Sequence, residues 1–300
     1  MDDRIISTEG LTKFYGAQRG VVDLTLEVSL GEVFGYLGPN GAGKTTTIRL
    51  LLDFIRPTKG KARIFGMDSR LGSVEIRRMT GYLPGELALY ENLTGEELLL
   101  HLGHLRGGVR WRHVEALAER FELSLSQRIH TLSHGNRQKI GLIQAFMHRP
   151  ELLVLDEPTT GLDPLMQQEF YHLVREAQAE GRTVFLSSHI LPEVERVCDR
   201  VGIIREGQLV AVEHVSSLKE RALRRLEIHF GSHVPPETFA GLPGVRDVTV
   251  ENGILRCTVR GSLDAVVKTA AGFEVLNVIS QEPSLEEIFL AYYSDRDNAA

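Results

Sequence analysis

Apolar and polar positions alternate with a period of two over Arg4 to Thr8 and Val21 to Ser29, with Gly16, Gly20 and Gly31 as turn residues. That period puts successive side chains on opposite faces of a pleated strand, so both segments are predicted strands. Val33 to Leu37 is continuously apolar, a short buried strand that runs into Gly38-Pro39-Asn40-Gly41-Ala42-Gly43. A helix is expected from Lys44 to Phe54, stopping before Pro57, because the residue before a proline avoids helical angles. From Leu89 to Ile143 the pattern is mostly helical, and Asn92-Leu93-Thr94-Gly95-Glu96-Glu97 has the composition of a helix start. Apolar strands return at Leu152 to Leu155 and Val184 to Ser187, with a helix over Pro164 to Glu180 between them. Strands alternating with helices imply an α/β fold with a mostly parallel sheet, whose ligands collect at the C-terminal strand ends. Ser187-Ser188-His189 stands at such an end.

After Arg225 the pattern changes. Leu226 to Phe230 reads as a strand, Pro236 to Gly241 as a short helix, and Val245 to Val250 with Ile254 to Val259 as a hairpin around Asn252-Gly253. Ser262 to Ala271 is a predicted helix, Phe273 to Ile279 a strand and Ser284 to Tyr293 a final helix. The order β-α-β-β-α-β resembles a ferredoxin-like α+β unit. Residues 1–220 and 226–300 are therefore expected as two domains, the first with a helical subdomain at about 88–145, and Lys219 to Arg225 as the linker.

At 300 residues the chain can hold one large core and a smaller one. Its formal net charge of -6 argues against nonspecific nucleic-acid binding, which needs an excess of Lys and Arg. Cys198 and Cys257 stand in no metal or redox spacing and are expected as buried thiols in a reducing compartment. No apolar run approaches the ~20 residues of a spanning helix. Met1-Asp2-Asp3-Arg4 lacks a secretory pattern, so a cytoplasmic location is expected.

Gly38-Pro39-Asn40-Gly41-Ala42-Gly43-Lys44-Thr45, between a predicted strand and helix, fits G-x-x-x-x-G-K-[ST]. Glycines let the backbone curl so that successive N–H groups converge on phosphate oxygens, and the helix dipole favours the same charge. Lys44 is expected at the β- and γ-phosphates and the Thr45 hydroxyl on Mg²⁺. The strand ending in Asp156-Glu157 can present Asp156 to the same ion, while Glu157 polarises a water for attack on the γ-phosphate. His189, at the next strand end, is placed to contact that phosphate and hold the water and Glu157 in register. Two acids at a strand end are ordinarily just solvated; the phosphate loop on a neighbouring strand is what turns them into candidates.

GPNGAGKTT (Gly38 to Thr46), LLVLDEPTTGLDP (Leu152 to Pro164), SSH (Ser187 to His189) and Leu132-Ser133-His134-Gly135-Asn136-Arg137-Gln138 together resemble the nucleotide-binding domain of ATP-binding cassette (ABC) proteins over residues 4–220. The resemblance implies a P-loop NTPase fold that binds ATP with Mg²⁺. It gives Tyr15 as the ring that stacks on adenine, with Phe14 the competitor. Ser133, Gly135 and Asn136 would open a helix onto the γ-phosphate held by a partner's Lys44, and Gly161-Leu162-Asp163 would cross between protomers. A second nucleotide-binding subunit, identical or not, and a separate transmembrane permease on the cytoplasmic face of the membrane are thereby implied.

Two segments depart from the family pattern. The signature carries His134 and Asn136 where glycine and glutamine are usual. Gly85-Glu86 follows Gly81-Tyr82-Leu83-Pro84, where the family has a glutamine that touches Mg²⁺ and senses the permease. The C-terminal run Glu282-Pro283-Ser284-Leu285-Glu286-Glu287-Ile288-Phe289-Leu290 resembles the tail of subunits that serve exporter-type, drug-resistance permeases. The expected function is ATP hydrolysis coupled to efflux. A soluble ABC ATPase acting on ribosomes or DNA is the alternative, disfavoured by a single cassette and an acidic balance; a P-loop kinase would not need Leu132 to Gln138.

Overall fold

The computed structural model describes residues 3–217 and 223–281. Contacts divide the chain into two compact units, Met1–Val212 and Glu213–Ala300.

The first unit opens with β1 (Arg4–Tyr15) and β2 (Gln18–Ser29), paired antiparallel. Both are longer than their alternation predicts. β1 passes through Gly10, at φ +56, with several register shifts, and Gly20 lies inside β2 rather than in a turn. β3 (Val33–Leu37) leads to α1 (Lys44–Leu51). This helix ends short of Phe54 because Asp53 turns left-handed, at φ +57. β4 (Lys59–Ile64) and the short β5 (Met67–Asp68) complete an antiparallel sheet of order β2-β1-β4-β5.

α2 (Ser73–Met79) and β6 (Thr80–Leu83) precede three helices, α3 (Gly95–Leu105), α4 (Trp111–Arg120) and α5 (His134–Phe146). Thr94 caps α3 in a capping box with Glu97, as its sequence implies. β7 (Leu152–Asp156), α6 (Pro164–Ala179), β8 (Thr183–Ser188), α7 (Leu191–Val197), β9 (Arg200–Arg205) and β10 (Gln208–His214) follow. They form with β3 and β6 a sheet of order β10-β9-β3-β8-β7-β6. The pairs β9–β3, β3–β8, β8–β7 and β7–β6 are all parallel. The expected parallel sheet is thus one of two, and the N-terminal strands build the other. Ile6, Leu24 and Ile64 of the antiparallel sheet share one core with Phe34, Tyr36, Val154 and Phe185 of the parallel sheet, and Ile48 and Leu51 of α1 fill it. A helix held between two sheets has little freedom to tilt, which fixes the loop at its N-terminus.

The second unit runs β11 (Leu223–Phe230), α8 (Glu237–Ala240), β12 (Val245–Glu251), β13 (Ile254–Arg260), α9 (Asp264–Ala270) and β14 (Val275–Gln281). Its sheet has the order β12-β13-β11-β14 with antiparallel pairing. Asn252 and Gly253, at φ +51 and +75, make the tight hairpin turn that their sequence predicts. Ile228, Phe230, Phe239, Leu255 and Val266 are among its buried core. Leu223 to Arg225, expected in a linker, belong to β11. The rest of that linker from Lys219, the predicted helix Ser284 to Tyr293 and the run Glu282 to Leu290 lie outside the described residues. Among the described residues no helix is long and apolar enough to cross a membrane.

Candidate active site

Gly38 leaves β3 in a space no side chain could share, since a methyl there would stand 2.3 Å from Ile204 O. Pro39, Asn40 and Gly41 are exposed, Ala42 is buried, and the chain turns through Gly41 (φ +79) and Gly43 (φ +108). Gly43 is the N-cap of α1 and offers no side-chain acceptor, and the first turn holds no acid. The helix therefore opens with donors that have no intrahelical partner, an arrangement that attracts an anion. Lys44, buried on the first turn, curls back over the loop. Its Nζ donates to Gly38 O at 2.6 Å and Pro39 O at 3.2 Å, and lies 3.2 Å from Glu157 Oε1.

The parallel order β3-β8-β7 brings three strand ends to this loop. Thr45 Oγ1 donates to Asp156 Oδ2 at 2.7 Å, and Ser187 Oγ donates to Asp156 Oδ1. Asp156 is completely buried. Its charge adds to the effect of burial in pushing the Tyr82 hydroxyl up to about 12. The next residue, Glu157, adopts a left-handed conformation, φ +50, which costs of order 1 kcal/mol outside glycine and turns its carboxyl away from the strand. Glu157 N–H donates to Ser187 O and Oγ, each at 3.2 Å. Glu157 Oε2 meets His189 Nδ1 at 2.7 Å, while the buried Oε1 faces Lys44 in charge contact without forming a hydrogen bond.

A hydroxyl and a fully buried carboxylate are hard oxygen donors that suit Mg²⁺. Among the described residues no cluster of three or more His, Cys, Asp or Glu could hold a metal ion alone.

The remaining expected residues fall into two groups. Gly20 lies where the Tyr15 ring meets α1: a methyl there would stand 3.0 Å from Tyr15 Cε2 and 3.2 Å from Thr46 Cγ2. Tyr15 and Phe14 are each about half exposed, and the Lys13 ammonium lies 5.2 Å from the Tyr15 ring centre. Ser133, His134, Gly135 and Asn136 form the other group. Ser133 caps α5 by accepting from Asn136 N–H at 3.3 Å. Gly135 packs so closely that a methyl would stand 2.5 Å from Gly161 O, and the His134 ring lies against Gly161 itself. Among the described residues, no hydrogen bond or ion pair joins Ser133, Gly135 or Asn136 to Gly38–Thr46. Where the glutamine was expected, a methyl on Gly85 would stand 3.1 Å from Asp156 Oδ2, and Glu86 is exposed.

Sequence reasoning missed three supports. Gln138, counted only within the signature run, donates from Nε2 to Glu157 O (3.3 Å) and Pro158 O (3.0 Å), tying α5 to the segment that carries Glu157. Ser187 and Gly20 are the others. The pairing of β7 with β8 could have revealed Ser187, which stands opposite Asp156 in register.

The family model for the ABC transporter matches residues 21–160. The chain is 37% identical over 295 residues to the bacitracin transport ATP-binding protein BcrA of Bacillus licheniformis, covering 95% of this chain and 96% of that one. It is 32% identical to the linearmycin resistance ATP-binding protein LnrL of Bacillus subtilis, covering 95% and 97%. Among solved structures, an ATP-binding subunit of an ABC transporter is 33% identical with a TM-score of 0.66, covering 72% of this chain and 92% of that one. A dimeric, post-hydrolysis ATP-binding cassette bound to ADP and phosphate is similar in fold, at 21% identity and a TM-score of 0.63 over 70% and 98%.

Proposed function

The chain belongs to the ABC transporter family, and from that membership we propose that it is the ATP-hydrolysing subunit of an efflux-type transporter whose membrane-spanning permease is a separate polypeptide. It works as a dimer on the cytoplasmic face of the membrane. Near full-length similarity to subunits named for bacitracin transport and linearmycin resistance supports the export of a drug-like compound. The same similarity disfavours a ribosome- or nucleic-acid-directed ATPase.

The observation that carries the reading is the junction of Lys44, Thr45, Asp156, Glu157 and His189 at the ends of three adjacent parallel strands. The Gly38–Thr46 loop and Lys44 bind the β- and γ-phosphates of ATP, and Tyr15 stacks on adenine, for a few kcal/mol at most. Thr45 and Asp156 would hold Mg²⁺, which when bound offsets phosphate charge. Glu157 takes the proton of the attacking water, and His189, bonded to its other oxygen, fixes the carboxyl's orientation. Among the described residues, Ser133, Gly135 and Asn136 share no hydrogen bond or ion pair with their own loop, which fits their acting on a partner's nucleotide, and the similar dimeric cassette supports the pairing. Residues 1–220 are read as the nucleotide-binding domain, with 88–145 its helical subdomain. Residues 226–300 are read as an accessory domain, for which the strand order β12-β13-β11-β14 supports a ferredoxin-like fold.

The test is Glu157→Gln, which keeps the side chain's size and removes its basicity. ATP binding should persist and a closed dimer accumulate, while turnover falls by about 10²–10⁴. Hydrolysis at the wild-type rate would remove Glu157 from the role of base.

A further inference from the structure

Glu193, on the first turn of α7, is a carboxylate that the hydrolytic reading does not use. It is 5% exposed. Thr159 Oγ1 donates to its Oε1, and Ser188 Oγ donates to its Oε2 at 2.7 Å. Among the described residues no Lys, Arg or His forms an ion pair with it. A buried acid without a cationic partner is an expensive way to hold a fold, and an apolar residue of similar size is commonly as stable or more so. Burial, and then the two hydroxyl bonds working against it and the nearby Glu157 charge working with it, leave its acidity weakened.

Its two partners explain the retention. Thr159 stands two residues after Glu157, on the segment that continues to Gly161-Leu162-Asp163. Ser188 immediately precedes His189, and its Oγ also accepts from Ile190 N–H at 2.9 Å, so the same hydroxyl braces the chain on both sides of the histidine. Glu157 and His189 come from different strands and meet through a single bond of 2.7 Å. Glu157 sits in a left-handed conformation that would relax without bracing.

We propose that Glu193 is a positioning residue for hydrolysis: by accepting from Thr159 and Ser188 together, its carboxylate clamps the segment after Glu157 to the residue before His189 and holds the base and the histidine in contact. The inference rests on the reading of Glu157 as base. Only an acceptor at both oxygens satisfies both hydroxyls, so Gln, with one acceptor oxygen, keeps half of the clamp and Leu keeps none.

The experiment measures ATPase kinetics, ATP affinity and thermal unfolding of the full chain as wild type, Glu193→Leu, Glu193→Gln, Thr159→Val and Glu157→Gln. Glu193→Leu should lower kcat about 10- to 100-fold, the range expected for ångström-scale misplacement, while KM and ATP affinity stay within about twofold. Glu193→Gln should fall between, and Thr159→Val, which frees one oxygen, should lose activity comparable to Glu193→Gln. A structural role alone would lower the unfolding temperature without this split between kcat and KM. Should Glu193→Leu fail to fold, the Gln and Val variants carry the test. Folded variants with wild-type kcat beside an inactive Glu157→Gln would overturn the clamp alone; an active Glu157→Gln would overturn the reading beneath it.

Discussion

Replacing Gly135 by alanine asks whether α5 serves the phosphate site of a second copy. The new methyl would stand 2.5 Å from Gly161 O, about 0.9 Å inside ordinary contact. Gly161 cannot absorb the difference alone: it sits at φ +79, and the His134 ring covers the side on which it would carry a Cβ. Two residues on, Asp163 caps the sixteen-residue α6 by accepting from Leu165 and Met166 N–H, each at 3.0 Å. Either α5 or the Gly161–Asp163 loop must therefore shift by a fraction of an ångström. Overpacking of this size costs about 1–3 kcal/mol, or about 2–4 °C in Tm per kcal/mol for a domain of this size. ATP affinity of the single chain should stay within about twofold, because no hydrogen bond links residue 135 to Lys44, Thr45 or Asp156. Hydrolysis in the dimer should fall at least about tenfold, since the displaced helix end no longer meets the partner's phosphate. The decisive assay measures phosphate release after mixing Gly135→Ala with Lys44→Ala, each retaining about a tenth of the wild-type rate or less when alone. With free exchange half of the dimers are mixed, and each mixed dimer has one intact composite site, so about a quarter of the wild-type rate should return. A mixture no faster than its components, or a folded Gly135→Ala at the wild-type rate, refutes the assignment of the signature to the partner's site.

Two further predictions concern stability. Burial, and then the Arg106 charge, hold His148 at about 4, below its usual 6.5. The unfolded chain therefore takes up this proton before the folded one. Its contribution is complete above pH 6.5 and is lost as pH falls through that window, by about 2 kcal/mol between pH 7 and 5. Urea unfolding at the two pH values should show this slope in the wild type and a flatter one in His148→Gln; equal slopes would reject the assignment. Gly81→Ala should destabilise by about 2 kcal/mol or more, because its methyl would stand 2.1 Å from Ala145 O at the end of α5. An unchanged midpoint in denaturant would show that β6 and α5 can part without cost.

The residues legible in the sequence are those whose chemistry is local. The phosphate loop needs glycines, a lysine and a hydroxyl at fixed spacing in one stretch, so Gly38 to Thr45 could be read without knowing the fold. The hairpin at Asn252-Gly253 and the cap at Thr94 are legible for the same reason: the interaction is completed within a few residues. Pairing across distance is not written in this way. β1 pairs with β4 across two intervening strands and a helix, and that pairing turns an apparent run of isolated strands into a second sheet. α1 stops at Leu51, not Phe54, because the chain must turn at Asp53 to begin β4, a demand that periodicity does not register.

The same division runs through the site itself. Thr45 and Asp156 are 111 residues apart and 2.7 Å apart. Each belongs to its own motif, but only the parallel order of β3, β8 and β7 makes them one donor set. Ser187 and Gln138 stand inside motifs, but their contacts, Ser187 with Asp156 and Gln138 with the backbone of Glu157, join distant segments and are not encoded in either motif. His134 is a third such case. It stands inside a motif, yet its ring packs on Gly161 of its own chain, a contact that the motif does not encode. A side chain there is constrained by the loop it touches before any nucleotide arrives. The signature and the Gly161–Asp163 loop therefore pack directly on each other, so any displacement of the start of α5 presses on the loop that supplies the N-cap of α6.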